Sequence, residues 1–511
     1  MASLIAPFAN ENPEQIALVD DFGETSWSDF NGRVNQLVHA LRSKGLRTGD
    51  AFAVVSGNRR EYFEAFAAAA HGGWLLVPVN WHLVAKEVAY ILADSGSKAL
   101  LVDSRFIELA EATMLQTERP NLEAVVIMGK EASVFADETE QAIAYEDFLS
   151  EQSSAEPGDQ LLGGPMFYTS GTTGHPKGVK SGLSQTGAPV EMLKMIGDGI
   201  SAMLGITPGG KSLLVGPVYH SAQWAFSFLP LLAGTSVVMR HRFDGEEVLK
   251  LVDKYQITNI HLVPTQFTRM LRLSDDIRKS FNGSSLTAVW HGAAPCPPQI
   301  KRQMIEWWGP VINEYYGSTE GSIVTTVSAE DWLSRPGTLG KPVPIMEILV
   351  IKEDGSRASA GESGTLYVKN LMGSDFEYHN APEKTSDAHL EPGVFTFGDV
   401  GYLDEDGYLF MSDRKIDMII SGGVNIYPAE IEGTLIDHPA VLDAAVFGVP
   451  NEEFGEEVKA AVELAEGIQA SEQLTEDLMS HCREQLAGFK VPRSVDYEDQ
   501  LPRHPTGKLL K

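Results

Sequence analysis

Short apolar runs recur along the chain, each bounded by polar turns and separated from the next by a stretch with helical periodicity. Seven of these runs have the length and the β-branched content of buried strands. They span residues 51–56, 74–79, 99–102, 124–128, 212–215, 236–239 and 260–263. Because strands that alternate with helices are typical of layered folds, the pattern predicts α/β layers with largely parallel sheets.

The pattern changes from residue 361 onward. Between 361 and 413, strand-like pieces such as 364–369 and 408–411 are separated by Gly, Pro and Asp turns. This texture predicts a small β-rich unit.

Beyond Arg414 the pattern predicts a compact α+β region of ordinary domain size. The expected elements are a helix over 429–437 that Pro428 opens, strands over 444–449 and 455–463, and a helix with Ser471 as its N-cap and Gly488 as its C-terminal stop. The predicted fold class is therefore α/β, with a large N-terminal domain (1–413) that contains two α/β subdomains and the small β-rich unit. A small, mobile α+β C-terminal domain (414–511) follows, with the hinge near 413–417.

Length and charge limit the number of domains and the classes of partner that the chain can have. A chain of 511 residues is too long for one simple core, which agrees with two or more domains. Its 70 acidic and 40 basic side chains give a formal net charge of -30. Such a surface repels phosphate backbones, so we expect no nucleic-acid partner. A small polyanionic ligand would need a local site of basic groups or backbone amides.

The cysteines and the apolar runs indicate a cytoplasmic protein. Cys296 and Cys482 are the two cysteines, and their wide separation argues against a disulfide framework or a zinc site. Residues 1–10 lack the basic stretch and apolar core of a secretory signal. The most apolar run, 224–239, is broken by a proline and a glycine. We interpret it as buried core and expect no integral membrane segment.

The most informative chemistry lies in residues 168–178, YTSGTTGHPKG. Three glycines let the backbone turn tightly and present N–H groups to an anion, while hydroxyls and a lysine add side-chain donors. A plain Gly/Ser/Thr linker has no need for a lysine fixed between proline and glycine, and the spacing is not that of a Walker P-loop. The stretch predicts a site for the β- and γ-phosphates of a nucleotide, formed by Thr169, Ser170, Gly171, Thr172, Thr173, Gly174 and Lys177.

This stretch resembles the signature loop of the adenylate-forming superfamily, which includes acyl-CoA synthetases, luciferases and the adenylation domains of peptide synthetases. Further motifs follow in that family's order, so the resemblance covers nearly the whole chain, from residue 78 to Lys511. It implies an enzyme that uses ATP and Mg²⁺ to convert a carboxylic acid into an acyl-adenylate. Coenzyme A is the implied second co-substrate, because CoA ligases transfer the acyl group to its thiol.

The YYGSTE stretch at 315–320 resembles the family's second signature. An aromatic ring there stacks on adenine, a hydroxyl bonds the α-phosphate and a carboxylate holds Mg²⁺. By resemblance these are Tyr316, Thr319 and Glu320, of which Glu320 is the metal ligand. In isolation, core packing followed by a turn would explain the same string.

Three weaker motifs complete the implied nucleotide site. HGAAP at 291–295 resembles the turn where adenine approaches the backbone. Asp399 resembles the residue that bonds the ribose hydroxyls. By the same resemblance, Arg414 starts the hinge and lies near the ribose. Ile416 departs from the Asp or Lys that usually marks the pivot. The implied nucleotide-binding residues beyond the phosphate stretch are Gly292, Ala293, Ala294, Glu314, Tyr315, Tyr316, Gly317, Thr319, Asp399, Arg414 and Lys508.

The last signature, PTGK, ends at Lys508. By resemblance its positive charge reaches the carboxylate and the α-phosphate and stabilises the charge that develops during adenylate formation. A solvated terminal lysine is the alternative. The implied catalytic set is Lys508, Thr169, Glu320 and His220.

His220 stands where amino-acid-activating relatives carry Asp, which argues against an α-amino acid substrate because a buried ammonium would lack its partner. We expect an apolar acid pocket, and a medium-chain, aromatic or alicyclic acid; core packing would explain its aromatic residues equally well. Glycines after the hinge resemble those that line the pantetheine channel. The expected pocket residues are His220, Trp224, Phe228, Trp290 and Gly317, and the expected channel residues are Gly422 and Gly423.

Other acceptors and other chemistries stay open on the sequence. One alternative is an amide ligase, which transfers the acyl group to an amine. Another is a loading enzyme, which transfers it to a separate carrier protein. A luciferase-like oxygenase and a non-enzymatic nucleotide-binding protein are further alternatives, and homodimerisation is an open question. We expect no carrier domain fused after Lys511.

Overall fold

All seven strands predicted in the first half of the chain are present, each within two residues of its expected bounds. The structure is a computed structural model that describes residues 4–116, 122–129, 142–169, 176–414, 419–421, 424–426, 428–451, 454–486, 488–503 and 509. The chain forms two compact units. The first comprises Met1–His261, Leu273–Val289 and Ser374–Ser386, and the second comprises Leu262–Arg272, Trp290–Gly373 and Asp387–Lys511.

Two largely parallel sheets organise the described part of the first unit, as the sequence predicts. One has the spatial order Ala142–Ala144, Ala124–Met128, Ser97–Asp103, Ala51–Val55, Leu75–Val79 and Gly164–Pro165, and all its pairs are parallel. In the other, five neighbouring strands have the order Asn259–Leu262, Lys211–Leu214, Ser236–Met239, Ile16–Asp20 and Gly23–Ser26, and of these pairs only the last is antiparallel. A small antiparallel sheet was not predicted; its order is Glu377–Tyr378, Lys177–Lys180 and Phe167–Thr169.

Some helices of the first unit begin at a residue whose side chain caps the first turn. Helix Trp27–Ser43 is an example, because the Ser26 hydroxyl oxygen accepts a hydrogen bond from the backbone N–H of Asp29 at 3.0 Å. The other α-helices among the described residues are Ala6–Glu11, Arg60–Gly72, Ala85–Ser95, Ile107–Met114, Tyr145–Ser150, Glu191–Met203, Ser221–Ala225, Phe228–Leu232, Gly245–Tyr255, Asp275–Ser280 and Pro382–Ala388.

The apolar run 224–239 is core, as predicted. It forms two short helices and the buried strand Ser236–Met239. Every helix that the structure describes is too short or too polar to cross a bilayer.

The second unit contains antiparallel strands and the C-terminal region. Strand Ile312–Ser318 pairs antiparallel with Ser322–Val327, which pairs with Lys341–Pro342. The predicted β-rich unit is an antiparallel sheet whose described strands are Met346–Ile351, Gly364–Asn370, Val394–Leu403, His389–Glu391 and Leu409–Arg414. The helices that precede the C-terminal region are Pro264–Leu271, Pro298–Trp308 and Ala329–Ser334.

The C-terminal region has the predicted α+β character. Its described strands are Ile419–Ser421, Val424–Ile426, Val441–Asn451, Gly455–Leu464 and Ser494–Glu498, and its helices are Pro428–Ile436 and Glu472–Gln485. Ser471 caps the second helix by accepting a hydrogen bond from the Leu474 N–H at 3.2 Å, as predicted. The predicted stop at Gly488 is wrong. Leu486 packs against the core in an extended conformation, so the helix ends before Gly488 is reached.

The domain boundary at 413/414 stays a prediction. Residues 415–418, which contain Ile416 and most of the expected hinge, lie outside the described residues.

Candidate active site

The two ends of the phosphate stretch face each other across an antiparallel strand pair. Strands Phe167–Thr169 and Lys177–Lys180 pair so that Thr169 lies opposite Lys177 and Tyr168 lies opposite Gly178. Both Thr169 and Lys177 are half-buried. The pairing therefore holds a hydroxyl and an ammonium group on the two flanks of the stretch.

His220 begins a short helix beside an aromatic cluster. It is half-buried at the N-terminal end of Ser221–Ala225, and its ring centroid lies 4.4 Å from that of Tyr219. Trp224 and Phe228 are each 1% exposed, and their rings stack at 5.7 Å. Phe66 packs against both. The contacts of Trp224 and Phe228 are those of core residues, which is the alternative that the sequence left open. The role of these residues and of His220 in the acid pocket stays a prediction.

The adenine-turn motif begins where strand Ala288–His291 ends. A side-chain carbon at Gly292 would lie 2.6 Å from the Tyr315 ring and 2.8 Å from the Tyr315 carbonyl oxygen, so this close approach requires glycine. Ala293 follows with a φ of 67°, in the left-handed region, and the residue is exposed. Trp290 is buried in the strand itself.

Tyr316 and Asp399 meet although 83 residues separate them in sequence. The Tyr316 hydroxyl donates a hydrogen bond to Asp399 Oδ2 at 2.6 Å, and Asp399 is 3% exposed. Strand pairing places the backbone of Asp399 opposite that of Arg414. Three residues that the sequence predicts around adenine and ribose are thus brought together.

Glu314, one residue before Tyr315, forms a buried ion pair that the sequence reading missed. Its Oε2 atom lies 2.6 Å from Nζ of Lys301 on helix Pro298–Trp308, and the Lys301 side chain is 0% exposed. Burial raises the pKa of the Glu314 carboxyl, and the Lys301 ammonium opposes that rise. The pair ties the helix after the adenine turn to the strand that carries Tyr316.

Thr319 and Glu320 lie in the tight turn between strands Ile312–Ser318 and Ser322–Val327. The Ser318 hydroxyl oxygen accepts the backbone N–H groups of Glu320 and Gly321, which fixes the turn. The Glu320 carboxylate supplies the hard oxygen that Mg²⁺ takes as a ligand. Its chemistry therefore fits the expected cation.

The geometry of the same hairpin requires glycine at position 317. A side-chain carbon there would lie 2.0 Å from the Ser322 carbonyl oxygen. This constraint explains the glycine without reference to the acid's path.

Comparison with known proteins decides the family. A model of the AMP-binding enzyme family matches residues 6–372, and a model of the AMP-binding enzyme C-terminal domain matches residues 430–508. The chain belongs to the AMP-binding enzyme family. The resemblance to adenylate-forming enzymes, the α/β fold class and the ligase class are confirmed.

Individual relatives of this AMP-binding enzyme are CoA ligases. It is 33% identical to the 7a-methyl-1,5-dioxo-octahydro-inden-4-yl propanoyl:CoA ligase of Rhodococcus jostii, over 98% of this chain and 96% of that one. It is 30% identical to 2-succinylbenzoate–CoA ligase of Bacillus subtilis, over 98% and 95% of the two chains. The structure of the Bacillus subtilis o-succinylbenzoate coenzyme A synthetase with ATP and magnesium aligns with a TM-score of 0.82 at 28% identity, covering 100% and 98% of the chains.

Several predicted site residues of the AMP-binding enzyme lie outside the described residues, so their roles stay predictions. They are Ser170, Gly171, Thr172, Thr173, Gly174, Gly422, Gly423 and Lys508.

Proposed function

We propose that the protein is an ATP-dependent acid–CoA ligase that forms an acyl-adenylate from a hydrophobic carboxylic acid, releases pyrophosphate and transfers the acyl group to the CoA thiol. Family membership and the CoA ligases among its relatives support this function. The substrate is a medium-chain, aromatic or alicyclic acid.

The hydrogen bond between Tyr316 and Asp399 carries the proposal. A ring that can stack on a base and a carboxylate that can accept two ribose hydroxyls are joined at 2.6 Å, from distant parts of the sequence. An adenosine group needs both partners at one place. Neither core packing nor a turn requires that pairing.

The roles of the remaining residues follow from their chemistry. Lys177 and Thr169 bind the leaving phosphates, Thr319 donates to the α-phosphate, and Lys508 stabilises the negative charge that develops there as the carboxylate attacks. Mg²⁺, held by Glu320, neutralises phosphate charge when bound. His220 closes the pocket beside the carboxylate. The thiol sulfur then attacks the acyl carbon, the bond from that carbon to the AMP oxygen breaks, and AMP leaves.

The test is a panel of fatty, aromatic and fused-ring acids, each incubated with MgATP in the presence and absence of CoA. Pyrophosphate release and product mass are measured together. The proposal expects acid-dependent pyrophosphate and an acyl-CoA mass. A panel with acyl-adenylate but no thioester, or with an amide when amines are supplied, would assign the amide-ligase or carrier-loading alternative instead.

Lys508→Ala separates the two half-reactions. Loss of the ammonium should slow adenylate formation by roughly 10²–10³-fold, the range for removing one group that stabilises a transition-state charge. Thioester formation from a synthetic acyl-adenylate should stay within about threefold of wild type, because the centre under attack in that step is the acyl carbon and not the α-phosphorus. An equal loss in both half-reactions contradicts the proposed role.

A cytoplasmic location is part of the proposal, supported by the need for ATP and CoA and by the two cysteines far apart in sequence. Sedimentation of the purified chain would determine whether it is a homodimer.

A further inference from the structure

A strand from nearly 200 residues farther along the chain completes the small sheet that carries the phosphate stretch. Strand Glu377–Tyr378 pairs with Lys177–Lys180, with Tyr378 opposite Val179. The backbone N–H of His379 also donates to the Gly178 carbonyl oxygen at 2.8 Å. The segment Ser374–Ser386 therefore fixes the backbone that immediately follows Lys177.

Tyr378 also contacts Lys177 through its side chain. The Lys177 Nζ atom lies 4.6 Å from the centroid of the Tyr378 ring, within the range of a cation–π interaction. A lysine side chain that must be ordered on binding costs up to about 1.5–2 kcal/mol of conformational entropy. An ammonium group already held near the phosphate stretch reduces that cost when an anion binds.

Asp94, at the end of helix Ala85–Ser95, anchors both sides of this sheet. Tyr168 donates its hydroxyl hydrogen to Asp94 Oδ2 at 2.6 Å. The Asn380 side-chain amide donates to Asp94 Oδ1 at 3.2 Å and to the Asp94 carbonyl oxygen at 3.1 Å. The carboxylate thus connects the strand that enters the phosphate stretch with the segment that carries Tyr378.

Two local features hold this anchor in place. Burial, together with the Asp94 carboxylate, raises the pKa of the Tyr168 hydroxyl well above its ordinary value, so Tyr168 remains a donor. Asn380 has a φ of 54°, in the left-handed region that asparagine tolerates better than most residues. Its side chain is therefore directed by a backbone turn that suits its residue type.

We propose that Tyr378 and Asp94 are positioning residues for the nucleotide's phosphates: the Tyr378 ring holds the Lys177 ammonium ready, and Asp94 fixes the two strands beside it. This inference rests on the proposed adenylation, because it assigns Lys177 to phosphate binding. It adds two residues that neither the motifs nor the family comparison assign.

The test compares Tyr378→Leu with Tyr378→Phe in calorimetric binding of α,β-methylene-ATP with Mg²⁺. Tyr378→Leu should weaken binding roughly three- to tenfold, the range expected for one cation–π contact. Tyr378→Phe keeps the ring and should bind within about twofold of wild type. KM for the acid, measured by pyrophosphate release, should be unchanged in both variants.

A double-mutant cycle with Lys177→Met shows whether the effect passes through Lys177. In the Lys177→Met background, Tyr378→Leu should change binding by less than about twofold. An unchanged or tighter affinity in the single Tyr378→Leu variant overturns the proposal, since the ring would then compete with phosphate for the ammonium. An equal loss in both backgrounds overturns it too, because the tyrosine would then be only structural.

Asp94→Ala and Tyr168→Phe test the anchor in the same assay. Asp94→Ala should weaken binding of the ATP analogue roughly threefold or more, with a smaller loss for Tyr168→Phe. Wild-type affinity in an Asp94→Ala protein of lowered thermal stability overturns the positioning role of Asp94. If the wild-type chain itself neither binds the analogue nor releases pyrophosphate, the proposed function fails; normal wild-type binding with unaffected variants sinks only this inference.

Discussion

Two lysines lie over aromatic rings at nearly the same distance, yet their surroundings differ. The Lys301 Nζ atom is 4.7 Å from the Trp332 ring centroid, and that of Lys177 is 4.6 Å from the Tyr378 ring centroid. Lys301 is fully buried with the Glu314 carboxylate 2.6 Å away, whereas Lys177 is half-buried. We call Lys301, Glu314 and Trp332 the Lys301 cluster.

The difference teaches that burial, more than ring contact, indicates what a lysine does. A fully buried ammonium is costly to separate from its carboxylate, so Lys301 maintains the structure around the adenine turn. A half-buried ammonium loses less hydration and can exchange partners when an anion arrives. We therefore expect substitutions in the Lys301 cluster to alter stability, and substitutions around Lys177 to alter nucleotide binding.

Glu314→Ala should produce the largest effect, because it leaves the Lys301 ammonium buried without its partner. We expect the free energy of unfolding to fall by about 3–5 kcal/mol. Urea unfolding followed by tryptophan fluorescence measures the change. A loss below about 1 kcal/mol would mean that the buried pair does not maintain the structure.

The matched control removes both charges. Lys301→Met combined with Glu314→Leu leaves no buried ion, so most of the lost stability should return, to within about 2 kcal/mol of wild type. A double variant as unstable as Glu314→Ala alone would show that the shape of Glu314, and not its charge, is what matters.

Asp399→Ala tests the ribose side of the nucleotide site. It removes the acceptor of the Tyr316 hydroxyl and the proposed partner of the ribose, and each such charged hydrogen bond contributes about 1.5–3 kcal/mol. We expect KM for ATP to rise roughly 10–100-fold, with KM for the acid little changed. Initial rates of pyrophosphate release, at varied ATP and separately at varied acid, measure the two KM values, and an unaltered KM for ATP would remove Asp399 from the site.

Lys177→Met gives the sharpest contrast with Lys301→Met. The exchange at Lys177 should weaken binding of α,β-methylene-ATP about tenfold, the effect of losing one charge-assisted contact to phosphate. Its free energy of unfolding should stay within about 1 kcal/mol of wild type. The same exchange at Lys301 should mainly destabilise the fold, and the comparison breaks if the two variants behave alike.

Buried histidine gives the smallest predicted effect. Burial lowers the pKa of His71 from 6.5 to about 4, so the unfolded chain binds a proton in a pH range where the folded chain does not. Stability should therefore fall as the pH drops from about 6.5 towards 4, by about 1–2 kcal/mol at pH 5. His71→Leu should reduce the slope of this part of the pH profile in urea unfolding, and an unchanged slope would contradict the prediction.

Local patterns predicted the strands and the order of the motifs, because strand periodicity and turn chemistry are encoded in neighbouring residues. The sequence analysis missed Lys301, although a local signal was present: this lysine shares the buried face of its helix with Met304 and Ile305, three and four positions on. A lysine on an apolar stripe indicates a buried partner.

Contacts between distant residues were not readable from one sequence. Asp94 meets Asn380 across 286 positions, and no local periodicity encodes such a meeting. The fold also gives Gly317 a steric reason that the string YYGSTE does not contain. The sequence also could not distinguish pocket residues from core residues at Trp224 and Phe228. An aromatic residue near a pocket motif gives the same sequence pattern whether it contacts a ligand or the core.

The most direct test of acid activation follows oxygen from the acid. A substrate from the panel, labelled with ¹⁸O in both carboxyl oxygens, is converted with MgATP and CoA, and AMP is analysed by mass spectrometry. Because the attacking carboxylate oxygen stays on phosphorus when the thiol displaces AMP, the account predicts one ¹⁸O in each AMP. Unlabelled AMP alongside acyl-CoA, or label in inorganic phosphate, would contradict an acyl-adenylate.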